Sequence, residues 1–122
     1  MAVEVVNASH EVVSKVDRYR QVVLQFLLKQ SDEGRLDGIE SQPIFDQERD
    51  RYLILSQGWR GQERVYWVVM HLELRGGKVW IQRNQTEVDI EAELMALDIP
   101  QADIVLGIIP PEYRTLAGFT EA

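Results

Sequence analysis

The sequence predicts an α+β domain in which an N-terminal helix packs on a four-stranded, mainly antiparallel sheet. One observation is a stretch before Leu28 whose apolar side chains recur at helical spacing. The other is the segment from Ile39 to Gln82, where runs rich in β-branched and aromatic residues are separated by turns of charged residues or glycine. A short helix and an apolar C-terminal segment follow, and 122 residues are enough for one domain with its own core.

The first predicted helix starts at Ser14, because Ser14 and Asp17 resemble a capping box. It should end near Gly34, where a polar run and the glycine provide stop signals. Residues 1–15 are then expected to be a loosely held extension, and residues 16–122 a single domain. The apolar side of the helix consists of Val16, Tyr19, Val23, Phe26 and Leu27.

Two hairpins are predicted for the sheet. The first joins strands Ile39–Asp46 and Arg51–Trp59 through a charged turn, and Pro43 places the earlier strand at an edge because proline cannot donate to a strand ladder. The second spans Val65–Gln82 and turns at Gly76-Gly77, since paired glycines supply the positive φ angles of a type I′ turn. This second hairpin is the strongest local signal in the chain.

Tight turns at Gly61-Gln62 and Gly76-Gly77 predict which side chains share a face of the sheet. One face is then aliphatic and should lie under the helix. Its predicted cross-strand pairs are Leu53 with Met70, Leu55 with Val68, Leu72 with Ile81, and Leu74 with Val79, while Glu73 pairs with Trp80 and His71 with Gln82 on the other face. That other face is predicted to collect Phe45, Tyr52, Ile54, Trp67, Val69, His71 and Trp80, with Gln82 beside His71.

The C-terminal third contains a short predicted helix and an apolar run. Thr86 is the expected cap of the helix, and Pro100 ends it. The run Asp103–Ile109 is either a fifth strand or a buried extended segment, because periodicity alone does not separate the two. The helix is lined by Ile90, Leu94 and Leu97, and the tail carries Tyr113, Arg114 and Phe119 as anchors.

Composition limits the functions that the chain can have. It has no cysteine, which excludes disulfides, thiolate metal sites and cysteine nucleophiles, and favours an intracellular location. Its net charge of -7 disfavours binding to duplex DNA, which needs a basic surface. The first residues lack a signal-peptide pattern, and no run of about 18 apolar residues is present, so a cytoplasmic protein outside the membrane is expected.

The aromatic face of the sheet is the predicted interaction surface. A soluble chain rarely leaves such a patch in water, so either the C-terminal third or a second subunit should cover it. We expect a homodimer that buries part of this face or the tail, because a self-complementary patch favours two-fold pairing. The candidate interaction residues are Tyr52, Trp67, His71, Trp80, Gln82, Tyr113 and Arg114.

No residue pattern predicts catalysis, a cofactor or a bound metal. His71 with Glu73 would suit a general base or a metal ligand, but no second histidine or cysteine is close in sequence to complete a site, so a structural histidine is favoured. The carboxylates of Asp46–Asp50 are more typical of a solvated hairpin turn than of a nuclease cluster. Trp67 and Trp80, with Tyr52, would also suit stacking on single-stranded nucleic acid, which the acidic composition disfavours.

An ordered series of motifs between about Val16 and Phe119 resembles the XisI family, which is named for the cyanobacterial fdxN element excision controlling factor. Their order in one chain makes the resemblance more specific than any single motif. The motifs are YRQ at 19–21, FDQERDRYLILSQGW at 45–59, His71, GGKVWIQ at 76–82, TE at 86–87, IPQADIVLG at 99–107 and PPEYR at 110–114.

The resemblance implies an accessory protein for site-specific DNA excision that acts beside a recombinase and an XisH-like, nuclease-like partner. The first hypothesis is a non-enzymatic regulator or adaptor that works through protein contacts. The second is a partner that neutralises the XisH-like protein, which also suits an acidic chain. The third is a cryptic hydrolase or nuclease that uses His71 with nearby carboxylates.

Overall fold

A computed structural model describes the backbone of residues 2–120 and the side chains of residues 15–116 and 118–120. One long helix precedes the sheet, and short helical segments follow it. The helices are α1 (Ala2–Glu33) and α2 (Ile90–Ala96), the strands are β1 (Ile39–Asp46), β2 (Arg51–Arg60), β3 (Glu63–Arg75), β4 (Lys78–Asn84) and β5 (Ile104–Leu106), and two 3₁₀ helices span Gln101–Asp103 and Pro111–Ala117.

The strands form one sheet in the order β1-β2-β3-β4-β5. The first four pair antiparallel as successive hairpins, and β5 pairs parallel with β4. The predicted α+β class is confirmed, and the edge position expected for the strand with Pro43 is correct. The sheet has five strands instead of four, because three buried residues of the apolar run join β4.

Helix α1 covers one face of the sheet with the side chains that its periodicity predicts. Tyr19, Val23 and Leu27 are almost completely buried in the core. The predicted helix start at Ser14 is wrong, since α1 begins at Ala2. Serine and aspartate also occur inside helices at a small cost, so the capping-box pattern alone does not mark a start. Of the loosely held extension predicted for residues 1–15, the backbone of residues 2–15 belongs to α1. The side chains of residues 1–14 lie outside the described part of the structure.

Both hairpin turns lie where the glycines predict. Gly76 and Gly77 have φ angles of 60° and 75°, as a type I′ turn requires, and β2 and β3 meet around Gly61 at φ 63°. Three predicted pairs between β3 and β4 are confirmed, and they are Leu74 with Val79, Leu72 with Ile81, and Glu73 with Trp80.

The pairing between β2 and β3 differs from the prediction because β3 contains a bulge. Leu55 pairs with Val68 but Ile54 pairs with Met70, so Val69 is an extra residue on β3. This one-residue shift turns Ile54 toward α1 and places Leu53 opposite His71 on the far face. The predicted pairing of Leu53 with Met70 and the far-face position of Ile54 are therefore wrong. The pair of Leu55 with Val68 is confirmed, but it lies on the face away from α1 and not under the helix as predicted.

A second bulge, at Gln82 on β4, corrects another predicted pair. Leu72 still pairs with Ile81, but His71 pairs with Arg83 and not with Gln82. The extra residue keeps both Gln82 and Arg83 on the face away from α1, because the core positions on either side of the bulge are retained.

Tyr52 and Phe45 also belong to the core face, contrary to the prediction. Tyr52 is fully buried, and its ring makes an edge contact with Phe45 at 5.9 Å between centroids. The Tyr52 hydroxyl donates to Asp50 Oδ1 at 2.5 Å, and Arg20 of α1 donates to both oxygens of Asp50 at 2.9 and 3.2 Å. Burial and this hydrogen bond raise the pKa of Tyr52 to about 12. Asp50 thus supplies the hydrogen-bond partner that the buried Tyr52 hydroxyl needs, which the alternation of side chains along β2 did not predict.

Helix α2 begins later than predicted. Asp89 caps it by accepting a hydrogen bond from Ala92 N at 3.0 Å, while the Thr86 hydroxyl instead accepts from Val88 N. Ile90 and Leu94 are buried as expected, but Leu97 is exposed and lies at the C-cap. None of the helices in the described part of the chain is both long and apolar enough to cross a membrane.

Replacing the buried Leu72 with alanine should destabilise the domain by about 2–5 kcal/mol, because the substitution removes buried methyl groups and leaves a cavity against α1. Urea denaturation measures the change. The exposed Leu36→Ala variant is the matched control and should stay within about 0.5 kcal/mol of the parent protein. Equal midpoints for the two variants would contradict the burial of this strand face.

Asp50→Asn should lower stability at neutral pH and change its acid dependence. Hydrogen bonds from Arg20 lower the pKa of Asp50 against the opposing effect of burial, so this stability is present above the unfolded pKa of about 3.9 and is lost as pH falls through the lower folded value. We expect a loss on the order of 1–3 kcal/mol at pH 7 that shrinks below about pH 4. Denaturation at several pH values, with the exposed Asp32→Asn as control, tests this; a constant difference would refute it.

Candidate functional site

The structure divides the predicted interaction face between the two sides of the sheet. His71, Trp80 and Gln82 lie together on the side away from α1, and Arg114 reaches them from the C-terminal 3₁₀ helix. Tyr113 of the same 3₁₀ helix is exposed. Tyr52 and Trp67 lie on the α1 side, because the bulge in β3 reverses their facing. The interaction role predicted for the seven residues stays a prediction, but they do not form one surface.

Trp67 instead borders an apolar cleft between the end of α1 and the β2–β3 hairpin. The cleft has a volume of about 390 Å³. Its lining is mainly apolar, with Glu33 and Arg60 among its charged residues, and Trp67 remains 44% exposed there. The sequence prediction missed this cleft because it depends on where α1 ends above the sheet.

Glu73 is the centre of the polar cluster on the far side. Its side chain is only 8% exposed, and it contacts Arg75 Nη2 at 2.7 Å and Arg51 Nε at 3.3 Å. His71 Nε2 lies 3.0 Å from Glu73 Oε2 without the alignment of a hydrogen bond, and Gln82 Nε2 donates to the carboxylate at 3.4 Å. The cations compensate the burial of this carboxylate, which otherwise would be costly.

Trp80 lies between two guanidinium groups. The Arg75 and Arg114 guanidinium carbons are 4.9 and 5.3 Å from its ring centroid, distances that allow cation–π attraction. Arg114 Nε donates to the carbonyls of Leu106 and Ile109 at 2.9 and 3.1 Å, which fixes the C-terminal segment over β4. Trp80 Nε1 is buried and has no hydrogen-bond partner among the described residues. The tail therefore covers this part of the sheet within the same chain.

The β2–β3 part of the same face is open. Trp59 and Tyr66 are 55% and 60% exposed, and the Arg64 guanidinium lies 5.5 and 5.7 Å from their ring centroids. Leu53 and Val68 beside them are half-buried. The sequence interpretation did not include Trp59, Tyr66 or Arg64 among the candidates. Alternation along β3 did not reveal Arg64 and Tyr66, because the bulge at Val69 reverses the facing of the residues that precede it.

The carboxylates near the candidate catalytic residues have partners within the fold. No three of the described histidine, aspartate and glutamate side chains are grouped so that they could hold a metal ion. Glu73, the carboxylate beside His71, is already paired with two arginines. In the β1–β2 turn, Asp46 accepts hydrogen bonds from the amides of Glu48 and Arg49, as a turn residue does.

Several motif residues join elements that are far apart in sequence. The Tyr19 hydroxyl donates to Asp103, which also pairs with Lys15 at 3.1 Å. Burial and the hydrogen bond to Asp103 raise the pKa of Tyr19 to about 12. For Asp103, burial raises the pKa, but the hydrogen bonds from Tyr19 and Lys15 outweigh burial, so the pKa of Asp103 is lowered. Arg20 and Arg114 make the connections described above. These residues therefore hold distant parts of the fold together.

Comparison with known proteins agrees with this structural picture. The chain is 31% identical to an XisI-like protein from Anabaena variabilis ATCC 29413 whose crystal structure matches with a TM-score of 0.83. It is 34% identical to the fdxN element excision controlling factor XisI from the same organism, with a TM-score of 0.78. Each match covers 88% of this chain and 99% of the other. No curated protein matches the chain.

The family comparison covers nearly the whole sequence. The model described as XisI protein matches residues 13–121, which include all the strands, α2 and most of α1. The match agrees with the resemblance seen in the motifs, and the fold agrees with the solved XisI-like structures. The chain therefore belongs to the XisI family.

Proposed function

We propose that the protein is a non-enzymatic accessory or regulatory factor of a site-specific DNA excision system, which acts in the cytoplasm through protein–protein contacts. The observation that carries this proposal is its similarity to the fdxN element excision controlling factor XisI over almost the full length of that chain. The open β2–β3 face supports it, because exposed tryptophan and tyrosine beside arginine are typical of contact surfaces.

The partners in this proposal are an XisH-like protein and a site-specific recombinase. Because XisH-like proteins resemble nucleases, one form of regulation is that this chain neutralises such a protein. The net charge of -7 favours that second candidate, since a surface that holds DNA is basic and attracts an acidic protein. In both forms the chain works by occupying a surface of another protein and contributes no chemistry of its own.

The arrangement around His71 favours a non-enzymatic function over a cryptic hydrolase. A general base needs a free path to its substrate and a partner that orients it. Glu73, which would orient His71, is buried and engaged by Arg51 and Arg75. The histidine is therefore interpreted as part of a structural network.

This protein, carrying an affinity tag, should co-purify with an XisH-like protein. Without a partner it should not shift duplex DNA in a gel at physiological salt, because its net negative charge repels the phosphates. Both experiments use the full chain. A DNA-cutting activity of the protein alone in Mg²⁺ or Mn²⁺ that His71→Ala abolishes would overturn the proposal in favour of a nuclease. Failure to retain any XisH-like protein would remove the neutralising candidate.

We also propose a homodimer formed through the C-terminal tail. Ile108, Tyr113 and Leu116 are exposed apolar side chains in or next to the C-terminal 3₁₀ helix, and Leu116 is 79% exposed. A two-fold contact would remove this patch from water.

Sedimentation velocity at micromolar concentration should show a dimer that Leu116→Glu converts to a monomer, because the new charge would lack a partner in the contact. Met95→Glu adds the same charge at an exposed apolar residue of α2 and is the matched control. A monomer at all concentrations, or equal dissociation of both variants, would refute this interface.

A further inference from the structure

The face of β2, β3 and β4 that points away from α1 has an unusual charge. Four arginines of these strands lie on it, and Arg114 of the tail joins them beside Trp80. The one carboxylate that β2–β4 place on this face is Glu73, whose side chain is almost fully buried. We call this surface the arginine face, and its arginines are Arg51, Arg64, Arg75, Arg83 and Arg114.

The arginine face opposes the charge of the rest of the protein. The neighbouring strand β1 adds Glu40 and Asp46 on the same side, so five arginines there face three carboxylates. The chain has 20 acidic and 13 basic residues, so the acidic excess lies elsewhere on the protein. Fixed charges separated in this way create opposite potentials on the two sides of a small domain. The arginine face is therefore the side that attracts an anionic partner.

The centre of the arginine face is apolar. Leu53, Leu55 and Val68 lie half-buried between the strands, and Trp59 and Tyr66 are more than half exposed beside them. Tryptophan, tyrosine and arginine are the residue types that carry most binding energy at protein interfaces. The composition fits a contact with an apolar centre and a charged rim.

We propose that the arginine face binds a protein partner through an acidic surface that presents apolar side chains at its centre. The inference rests on the proposed function and deepens it by naming the chemistry of the partner. Neutralisation of a basic nuclease surface would use the acidic part of this chain. The contact proposed here uses the arginine face and leaves that acidic part exposed, so the two modes of binding are distinct.

Two other occupants fit the arginine face less well. A second copy related by a two-fold axis would bring the same five guanidinium groups against each other. Single-stranded nucleic acid would stack bases on Trp59 and Tyr66, but the Arg64 guanidinium already lies over both rings. A carboxylate of an acidic protein surface can pair with the Arg64 guanidinium without moving it from the two rings.

Fluorescence anisotropy with a labelled peptide of alternating glutamate and phenylalanine tests the proposal on the full chain. We expect saturable binding that weakens with salt and that Arg64→Glu weakens about tenfold or more. Tyr66→Ala should weaken it as well, without a change of charge. Lys29→Glu, which makes the same charge reversal on the exposed side of α1, is the control and should change affinity by less than about twofold.

Three results would overturn the proposal. One is equal loss of affinity in Arg64→Glu and Lys29→Glu, which would show only the effect of net charge. Another is tighter binding of oligothymidine than of the peptide, which would assign the face to nucleic acid. The third is a dimer that Arg64→Glu dissociates. Circular dichroism confirms that each variant folds, and peptide binding is measured without an XisH-like protein, so its outcome is independent of the co-purification experiment.

Discussion

The hydrogen-bonded set Arg20–Asp50–Tyr52 is the interaction on which the arrangement of the two sheet faces depends. Asp50 has a φ angle of 54°, which costs energy for a residue with a side chain, and its carbonyl accepts a hydrogen bond from Leu74 N. The charge-assisted bonds from Arg20 hold the carboxylate where the Tyr52 hydroxyl can reach it. Tyr52 can therefore point inward, and β3 accommodates this register with the bulge at Val69.

The residues that carry the family resemblance have structural tasks in this protein. Tyr19 joins α1 to Asp103, Arg20 joins it to the β1–β2 turn, and Arg114 binds two carbonyls near β5. Each contact satisfies a buried or half-buried polar group, which is why polar residues can occupy these positions in or near a core. The motif residues named here therefore explain the shared fold of the family.

The face of the sheet away from α1 is covered by the tail at β4 but exposed at β2 and β3. At β4 the tail covers Trp80 through Arg114, so coverage there is provided by the same chain. At β2 and β3 the apolar residues and Arg64 remain open to a partner. Because the open part carries Arg64 and the chain is acidic overall, charge and exposure both support the contact proposed for this side of the sheet.

The sequence by itself determined the hairpin turns, the buried side of α1 and the family. These rest on local signals, because paired glycines act within two residues and helical periodicity acts within one turn. Glu73 opposite Trp80 followed directly from the turn at Gly76-Gly77. The candidate residues on β3 and β4 next to that turn were accordingly placed on the correct face.

Tertiary structure alone decided the two bulges, the parallel strand β5 and the network around Glu73. A bulge adds one residue, and many residue types can occupy that position, so the sequence here does not signal it. The bulge nevertheless reverses the facing of every position beyond it. The register on either side of it is instead accompanied by contacts made at long range, such as Arg20 with Asp50. For that reason Tyr52 and Trp67 could be recognised as important residues from the sequence, while the side of the sheet on which they lie could not.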